Sequence, residues 1–391
     1  MKFRVAVTGL GVLANVGTGS QNFWEGLLNG VPSHGYSIED FDPLPYFNNN
    51  AKEARRSDRF AQLALAAASE AIIQAGDFIT DPTRSGTWVG TGVGGLGTLE
   101  EQVGILNEKG PRRVSPFLVP MMMANAGSAL ISMKYGLQGP CETTVTACAA
   151  GTHSIARAAD LIRTGKCDAM VAGGAEATLN PIGQQGFINM TAISSAGISR
   201  PFDQDRDGFM QSEAAGVLVL EEWGHATNRG APILAEILGS GSTADAHHIT
   251  APAPGGDGAI RCMNSAIDDA GLSPEQIVHI NAHGTSTALN DAAEAEAIAN
   301  VFDHAPIVTS TKGATGHSLG AAGAIEAAAL ILSMISELIP PTHGTKSIDK
   351  SLHSIDLVIN EPRSWDPGPS LSNSFGFGGH NGTLVIGPAS T

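Results

Sequence analysis

Cysteine is scarce in this chain of 391 residues: there are four, Cys141, Cys148, Cys167 and Cys262, and no two stand in a C-x-x-C pair. That argues against a structural zinc site and against a disulfide framework, and it suits a reducing compartment. Cations are also few, with 22 Lys and Arg against 38 Asp and Glu, a formal net charge of −16. So acidic a chain is a poor match for broad nucleic-acid binding or an anionic membrane surface, although local basic patches are compatible with it. No long apolar run is free of charge. The longest, AAGAIEAAALILSMISELI, contains Glu326 and Glu337 and reads as a buried helix, not a membrane span. Lys2 and Arg4 precede an apolar stretch, but Gly9 and Gly11 interrupt it and no clear small-x-small cleavage site follows. A first strand is therefore expected there, with the cytoplasm as location.

What the chain has in quantity is apolar residues, at 42%, and glycine, at 48 residues. The first suffices for a large core and sets disorder aside; the second predicts closely packed helices and many tight turns. Strand-like and helix-like runs alternate from end to end. FRVAVTG, GTWVGTG, DAMVAGGAEA and AAGVLVLEEW read as strands, and RFAQLALAAASEAIIQAG as a long helix ended by Gly76. A like series follows: PILAEILGSGSTADA, the helical IRCMNSAIDDAGL, IVHINAHGTST, IVTSTKGATGH, a helix near 319–336 and LSNSFGFGGHNGTLVIG. The pattern predicts an α/β protein with buried strands, built of two pseudo-duplicated halves, residues 1–228 and 229–391, parted near HATNRGAP.

Three kinds of motif compete for the chemistry. GLGVLA (9–14) and GVGGLG (92–97) both fit a dinucleotide-binding fingerprint. Neither is followed by a strand ending in an acid roughly twenty residues on; LLNGVPSHGYSIEDFD is turn-rich and TLEEQVGILNEKG is helical. GHSLG (316–320) fits a nucleophile elbow, with a strand before it and a helix after. That reading makes Ser318 the nucleophile of a hydrolase or acyltransferase, with His343, His353 or His380 as base. Against it, the run IVTST stops well before Gly316, and Cys148, His283 and Lys312 are left without work. It stands as the alternative.

The third is Cys148, in TVTACAAGTHSIARAA, where a β-prone run gives way to a helix of small residues. A thiol there lies near the positive end of a helix dipole, which favours thiolate, though free cysteines are commonly just small buried hydrophobes. His283, in INAHGTST, ends a strand of the second half, and His317 follows another. Taken singly, each imidazole is more often structural. Active-site groups of α/β folds gather at the carboxyl ends of strands, however, and one thiol and two imidazoles are placed to meet there.

At these residues a resemblance emerges. VTACAAGTHSI, RPFDQDRDGF, NAHGTST, TKGATGHSLGAAGAIE and NSFGFGGHNG resemble, in order, the motif series of the β-ketoacyl-acyl-carrier-protein synthases, elongating Cys-His-His type (type II), of the thiolase superfamily. Similarity runs from VAVTGLG to GTLVIG, nearly the whole chain. It implies a thiolase-like five-layered α-β-α-β-α fold, a homodimer, and a partner, acyl carrier protein, that delivers acyl and malonyl groups on phosphopantetheine. It implies that Cys148 carries the acyl chain as a thioester. His283 and His317 would stabilise the enolate formed as malonyl loses carbon dioxide, and the backbone N–H groups of Cys148 and Phe377 would hold the oxyanion of the condensation. No metal or organic cofactor is implied.

By the same matching, Lys312 holds the polar network of the site and Glu326 has a structural, locally paired role. Thr285 and Thr287 bind the phosphopantetheine arm, and Phe377 is a gate among glycines. Leu99, Phe187 and Phe375 contact substrate, and Lys52, Arg55, Arg56, Arg112 and Arg113 dock the carrier; loop charges of that kind are also found merely solvated. Three departures leave pathway and substrate range open between fatty-acid and polyketide-type synthesis: a short loop before RPFD, His247 where an aromatic is common, and His380 where a threonine is frequent. Some relatives of this fold have lost the cysteine and serve as partner subunits; retention of Cys148 with both histidines argues against that role.

Overall fold

Strand Ala214–Glu222 is apolar on nearly every residue, and alternate side chains enter two different cores. Leu218 and Leu220 pack with Val5, Val7, Met170 and Ala172, whereas Val217 and Val219 pack with Val171 and the buried face of helix Arg59–Ala75. Side chains alternate across a strand, so a run without polar positions marks a sheet covered on both faces. The computed structural model describes residues 2–30 and 36–389. Of the stretch read as turn-rich after GLGVLA, residues 31–35 lie outside them.

The strands expected from the sequence form two sets, each extended by a short strand that was not expected, Cys141–Glu142 in the first and Asp356–Leu357 in the second. The first runs Cys141–Glu142, Ser85–Gly90, Ala169–Glu176, Ala214–Glu222, Val5–Ala14; the second runs Asp356–Leu357, Ile307–Thr309, His279–Asn281, Ser370–Gly376, His380–Pro388, Ala235–Ala244. From Cys141–Glu142 in the first set and from Ile307–Thr309 in the second, neighbours pair parallel, parallel, antiparallel, antiparallel. The duplication inferred from the sequence is thus a duplication of topology. The sets join edge to edge where Ala6 and Val7 pair with Glu236 and Ala235.

Between the sheets lie helices Ala150–Arg163 and Ala322–Ser336, whose Ile155, Ile162, Ile325 and Leu330 share one cluster with Leu218 and Leu220 on one side and Leu384 and Ile386 on the other. Helices Asp257–Ala270 and Ala288–Val301 cover the far face of the second sheet through Met263, Ile267 and Ile298, packed on Ile280, Val308, Leu371 and Val385. Helix, sheet, helix, sheet, helix is the five-layered order expected of the family. The central helices can meet because their contacts are small: a Cβ on Gly151 would lie 2.9 Å from the Ala324 nitrogen. Leu319–Ser336 is long and apolar enough to span a membrane, but 83% of it is buried, as the middle of a five-layer protein requires.

The fold removes both fingerprints. Strand Val5–Ala14 runs straight through GLGVLA, and Gly9 and Gly11 let it lie against the carbonyls of Ala71 and Ala67 in helix Arg59–Ala75. GVGGLG does form a strand-to-helix loop, but the Gly92 N–H that would cradle a phosphate donates to Glu176, at 2.6 Å.

Candidate active site

Cys148 sits in a single 3-10 turn, Ala147–Ala149, which leads directly into helix Ala150–Arg163. To enter it the backbone adopts a positive φ of 49° at Ala147, a conformation that costs a non-glycine residue of the order of 1 kcal/mol. The second half repeats the device. Leu319, with φ 47°, opens the turn Leu319–Ala321 that leads into helix Ala322–Ser336. The two helices lie side by side, so the two turns face each other, and His317 is brought to Cys148.

His317 Nε2 lies 3.1 Å from the Cys148 sulfur. Its Nδ1 accepts the Leu319 N–H at 3.3 Å, so in the neutral ring Nε2 carries the proton and points it at the sulfur. The His283 ring stands nearly perpendicular to that of His317, centroids 5.4 Å apart. Its backbone is fixed by Glu294, which accepts the N–H groups of His283 and Gly284 at 2.8 and 2.7 Å. The three donor atoms of Cys148, His283 and His317 all lie within 4.8 Å of one another, the only such cluster with metal-ligand chemistry among the described residues.

Burial sets the charge state. It pushes the Cys148 thiol up to about 11, against the Lys312 ammonium and the N–H groups of Phe377 and of Cys148 itself, which favour thiolate. The dipole argument from the sequence is outweighed by desolvation. Burial first, and Lys312 second, hold His283 and His317 well below the usual imidazole range. The resting site is a neutral thiol facing neutral imidazoles. Lys312 is fully buried and ion-paired with Glu326, whose carboxyl burial raises to about 7. Glu326 therefore does pair locally, and its partner is Lys312.

A cavity of about 430 Å³ opens on Cys148, His283 and His317. Thr285 and Thr287, hydrogen-bonded to each other at 2.9 Å, line it with Phe187, Phe375 and Phe377. Phe377 stands between Gly376 and Gly378 in the hairpin turn, its ring 6.4 Å from Phe187. Leu99 does not line this cavity: its helix, Leu96–Lys109, is anchored through Thr98 on Asp58, which leaves Leu99 half-buried elsewhere. Phe209 and Met190 line it instead. Phe209, from the RDGF motif, lies edge-on to His317 at 5.0 Å, a contact that the motif alone did not reveal. Glu294 was also missed; the only signal for it is an acid within an alanine-rich helix.

Lys52, Arg55, Arg56, Arg112 and Arg113, the residues expected to dock the carrier, are all exposed, and none of the five forms an ion pair among the described residues. The Arg56 guanidinium stacks on Phe117, 4.0 Å from the ring centre, which ties the first cluster, Lys52 to Arg56, to the segment that follows Arg112 and Arg113. Ser318 is fully buried, its hydroxyl has no hydrogen-bond partner among the described residues, and it does not line the cavity. His343 is bound to the Leu27 carbonyl, and neither it, His353 nor His380 is hydrogen-bonded to Ser318, so the serine-nucleophile reading has no base in contact and no access to the cavity.

Five layers built from two like halves, with a buried thiol facing two neutral imidazoles across the boundary between them, define a condensing enzyme of the thiolase type. Residues 32–226 match the β-ketoacyl synthase N-terminal domain and residues 234–346 the C-terminal domain of the same family. The chain is 43% identical over 410 residues to a 3-oxoacyl-[acyl-carrier-protein] synthase 2 of Synechocystis, covering 98% of both. Among solved structures it superposes on the ishigamide ketosynthase/chain length factor with a TM-score of 0.91 at 33% identity, covering both chains fully. A type II polyketide acyl-carrier protein in complex with its ketosynthase bound to the hexaketide gives 0.90 at 29%, again over both chains. The chain belongs to the β-ketoacyl synthase family.

Proposed function

We propose that the chain condenses an acyl thioester with malonyl-acyl carrier protein, giving a 3-oxoacyl-acyl carrier protein two carbons longer. The observation that carries this is the proton of His317 Nε2 aimed at the Cys148 sulfur, 3.1 Å away, beside a second neutral imidazole. Cys148 exchanges its S–H for an acyl group, and the proton leaves with the phosphopantetheine thiol. The malonyl thioester carbonyl then accepts hydrogen bonds from His283 and His317, each of which needs a proton on the ring nitrogen that faces it, and carbon dioxide departs. The enolate attacks the acyl carbonyl, the N–H groups of Cys148 and Phe377 hold the oxyanion, and collapse returns the Cys148 thiolate, which takes up a proton. Lys312 keeps the imidazoles neutral, Glu326 balances its charge, Thr285 and Thr287 face the pantetheine arm, and Phe187, Phe375 and Phe377 face the acyl chain.

Acyl carrier protein docks, in this reading, on Lys52, Arg55, Arg56, Arg112 and Arg113. We assign the chain to fatty-acid elongation in the cytoplasm as a homodimer of subunits with halves 1–228 and 229–391. The higher identity to the Synechocystis synthase than to the polyketide-type ketosynthases supports that pathway. The test is incubation with acyl and malonyl carrier proteins followed by mass analysis of protein and product. Cys148→Ala abolishes acyl loading, whereas His283→Ala and His317→Ala still load but lose decarboxylation, each by about 3 kcal/mol of enolate stabilisation. Decarboxylation at the parent rate in both histidine variants overturns the assignment.

A further inference from the structure

We propose that His153 is a positioning residue for the nucleophile, holding the Cys148 turn in place through the Thr146 hydroxyl. The inference rests on Cys148 being the acylated residue. Thr146 opens the turn: its carbonyl accepts the Ala149 N–H at 3.1 Å, closing the loop that carries Cys148. Its side-chain oxygen lies 2.8 Å from Nδ1 of His153, which projects from the helix that the turn begins. His153 Nε2 faces the Asn381 carbonyl at 3.1 Å and Ser242 Oγ at 3.2 Å. A carbonyl can only accept, so Nε2 bears the proton and Nδ1 is the acceptor for Thr146. His153 is buried, and burial lowers its proton affinity, which keeps Nδ1 free to accept.

The duplicated half supplies an internal comparison. Ala147 and Leu319 occupy equivalent places at the start of equivalent helices, Ala150–Arg163 and Ala322–Ser336. In that register Thr146 corresponds to Ser318 and His153 to Ile325. The half without a nucleophile leaves the Ser318 hydroxyl with no partner among the described residues, and its turn still forms. The imidazole is therefore not required to make such a turn. It is present where a sulfur must be aimed, and it ties that turn to strand His380–Pro388, whose hairpin carries Phe377.

Two substitutions separate the two bonds. His153→Asn keeps an oxygen where Nδ1 lies and gives up the contact with Asn381; His153→Gln keeps the outer contact and gives up Thr146. Acyl loading of Cys148 from an acyl thioester and decarboxylation of malonyl thioester are measured separately, with melting temperature alongside. His153→Gln and Thr146→Val slow loading about tenfold or more, as small misplacements of a reacting atom do, with decarboxylation changed far less. His153→Asn and Thr146→Ser recover most of the loading rate, and the double variant His153→Gln/Thr146→Val is no worse than either single. Equal loss in both half-reactions, tracking the melting temperature, or Asn behaving as Gln, overturns the inference. A parent enzyme that does not load at Cys148 overturns the underlying reading instead.

Discussion

Replacing Lys312 with methionine removes the one charge that both favours the Cys148 thiolate and keeps the two imidazoles neutral. With its pKa about 11, Cys148 is thiolate in roughly one molecule in a thousand at pH 8. Lys312 is the largest influence opposing burial, so its loss moves the thiol further up; each unit is about 1.4 kcal/mol and a tenfold loss of thiolate. The second-order rate of iodoacetamide inactivation, measured across the pH range, should follow a curve displaced toward alkaline pH in Lys312→Met. The same substitution strips Glu326 of its partner. In the parent this carboxyl titrates at about 7, so above that pH the parent holds a carboxylate beside an ammonium while the variant must keep its proton. The variant's native state then binds more protons than the parent's, with no such difference between the unfolded states. Its stability deficit therefore grows as pH rises above 7, by up to about 1.4 kcal/mol per unit, and urea melts on either side of that pH measure it. Superimposable alkylation curves, or a deficit that shrinks with rising pH, would refute the reasoning.

Reversing the docking charges with Arg55→Glu and Arg56→Glu should weaken carrier-borne substrates by about tenfold or more, less so at high salt, while small pantetheine thioesters lose much less; equal loss for both would deny a docking role. His279 is fully buried, its nitrogens have no partners among the described residues, and burial takes it down to about 3. The unfolded chain therefore binds the extra proton between there and the ordinary value, so stability falls as pH falls through that window, by up to about 1.4 kcal/mol per unit. In His279→Leu the stability should fall less steeply on acidification, by about one proton's worth; an unchanged slope counts against the assignment. Gly216→Ala would put a Cβ 2.7 Å from the Ala324 carbonyl carbon and should destabilise the protein by about 1–3 kcal/mol in denaturant melts, against no measurable change if the central layer can give way.

Much of this was legible in the sequence because the informative features are local. A β-prone run passing into small residues gives the Cys148 turn, and strand ends give His283 and His317. What stayed hidden depends on distant partners. Glu176 accepts the N–H groups of Gly92 and Gly320, 84 and 144 residues away along the chain, and nothing near Glu176 announces it. GLGVLA looks like a phosphate loop until helix Arg59–Ala75 is seen lying on it. Dipole direction can be read from a helix start, whereas the desolvation that overrides it at Cys148 is a property of the closed core.

The GHSLG motif, the strongest competitor, has a physical origin in the duplication. CAAG at 148–151 and GAAG at 320–323 are the same turn in the two halves. The elbow resemblance is real in backbone terms, since Leu319 and Ala147 share a positive φ and each leads into a central helix. The nucleophile's counterpart, however, is Gly320, not Ser318. Gly320 has no side chain to react, and its N–H is taken by Glu176 at 3.1 Å, whereas the Cys148 N–H is turned toward its own sulfur. One copy of the turn thus presents a thiol to the cavity. The other, by holding Gly320 on a buried carboxylate, braces the loop on which His317 is carried. The asymmetry of chemistry arises from two nearly identical backbones because one carries a thiol where the other carries a glycine, whose N–H is held by a buried carboxylate.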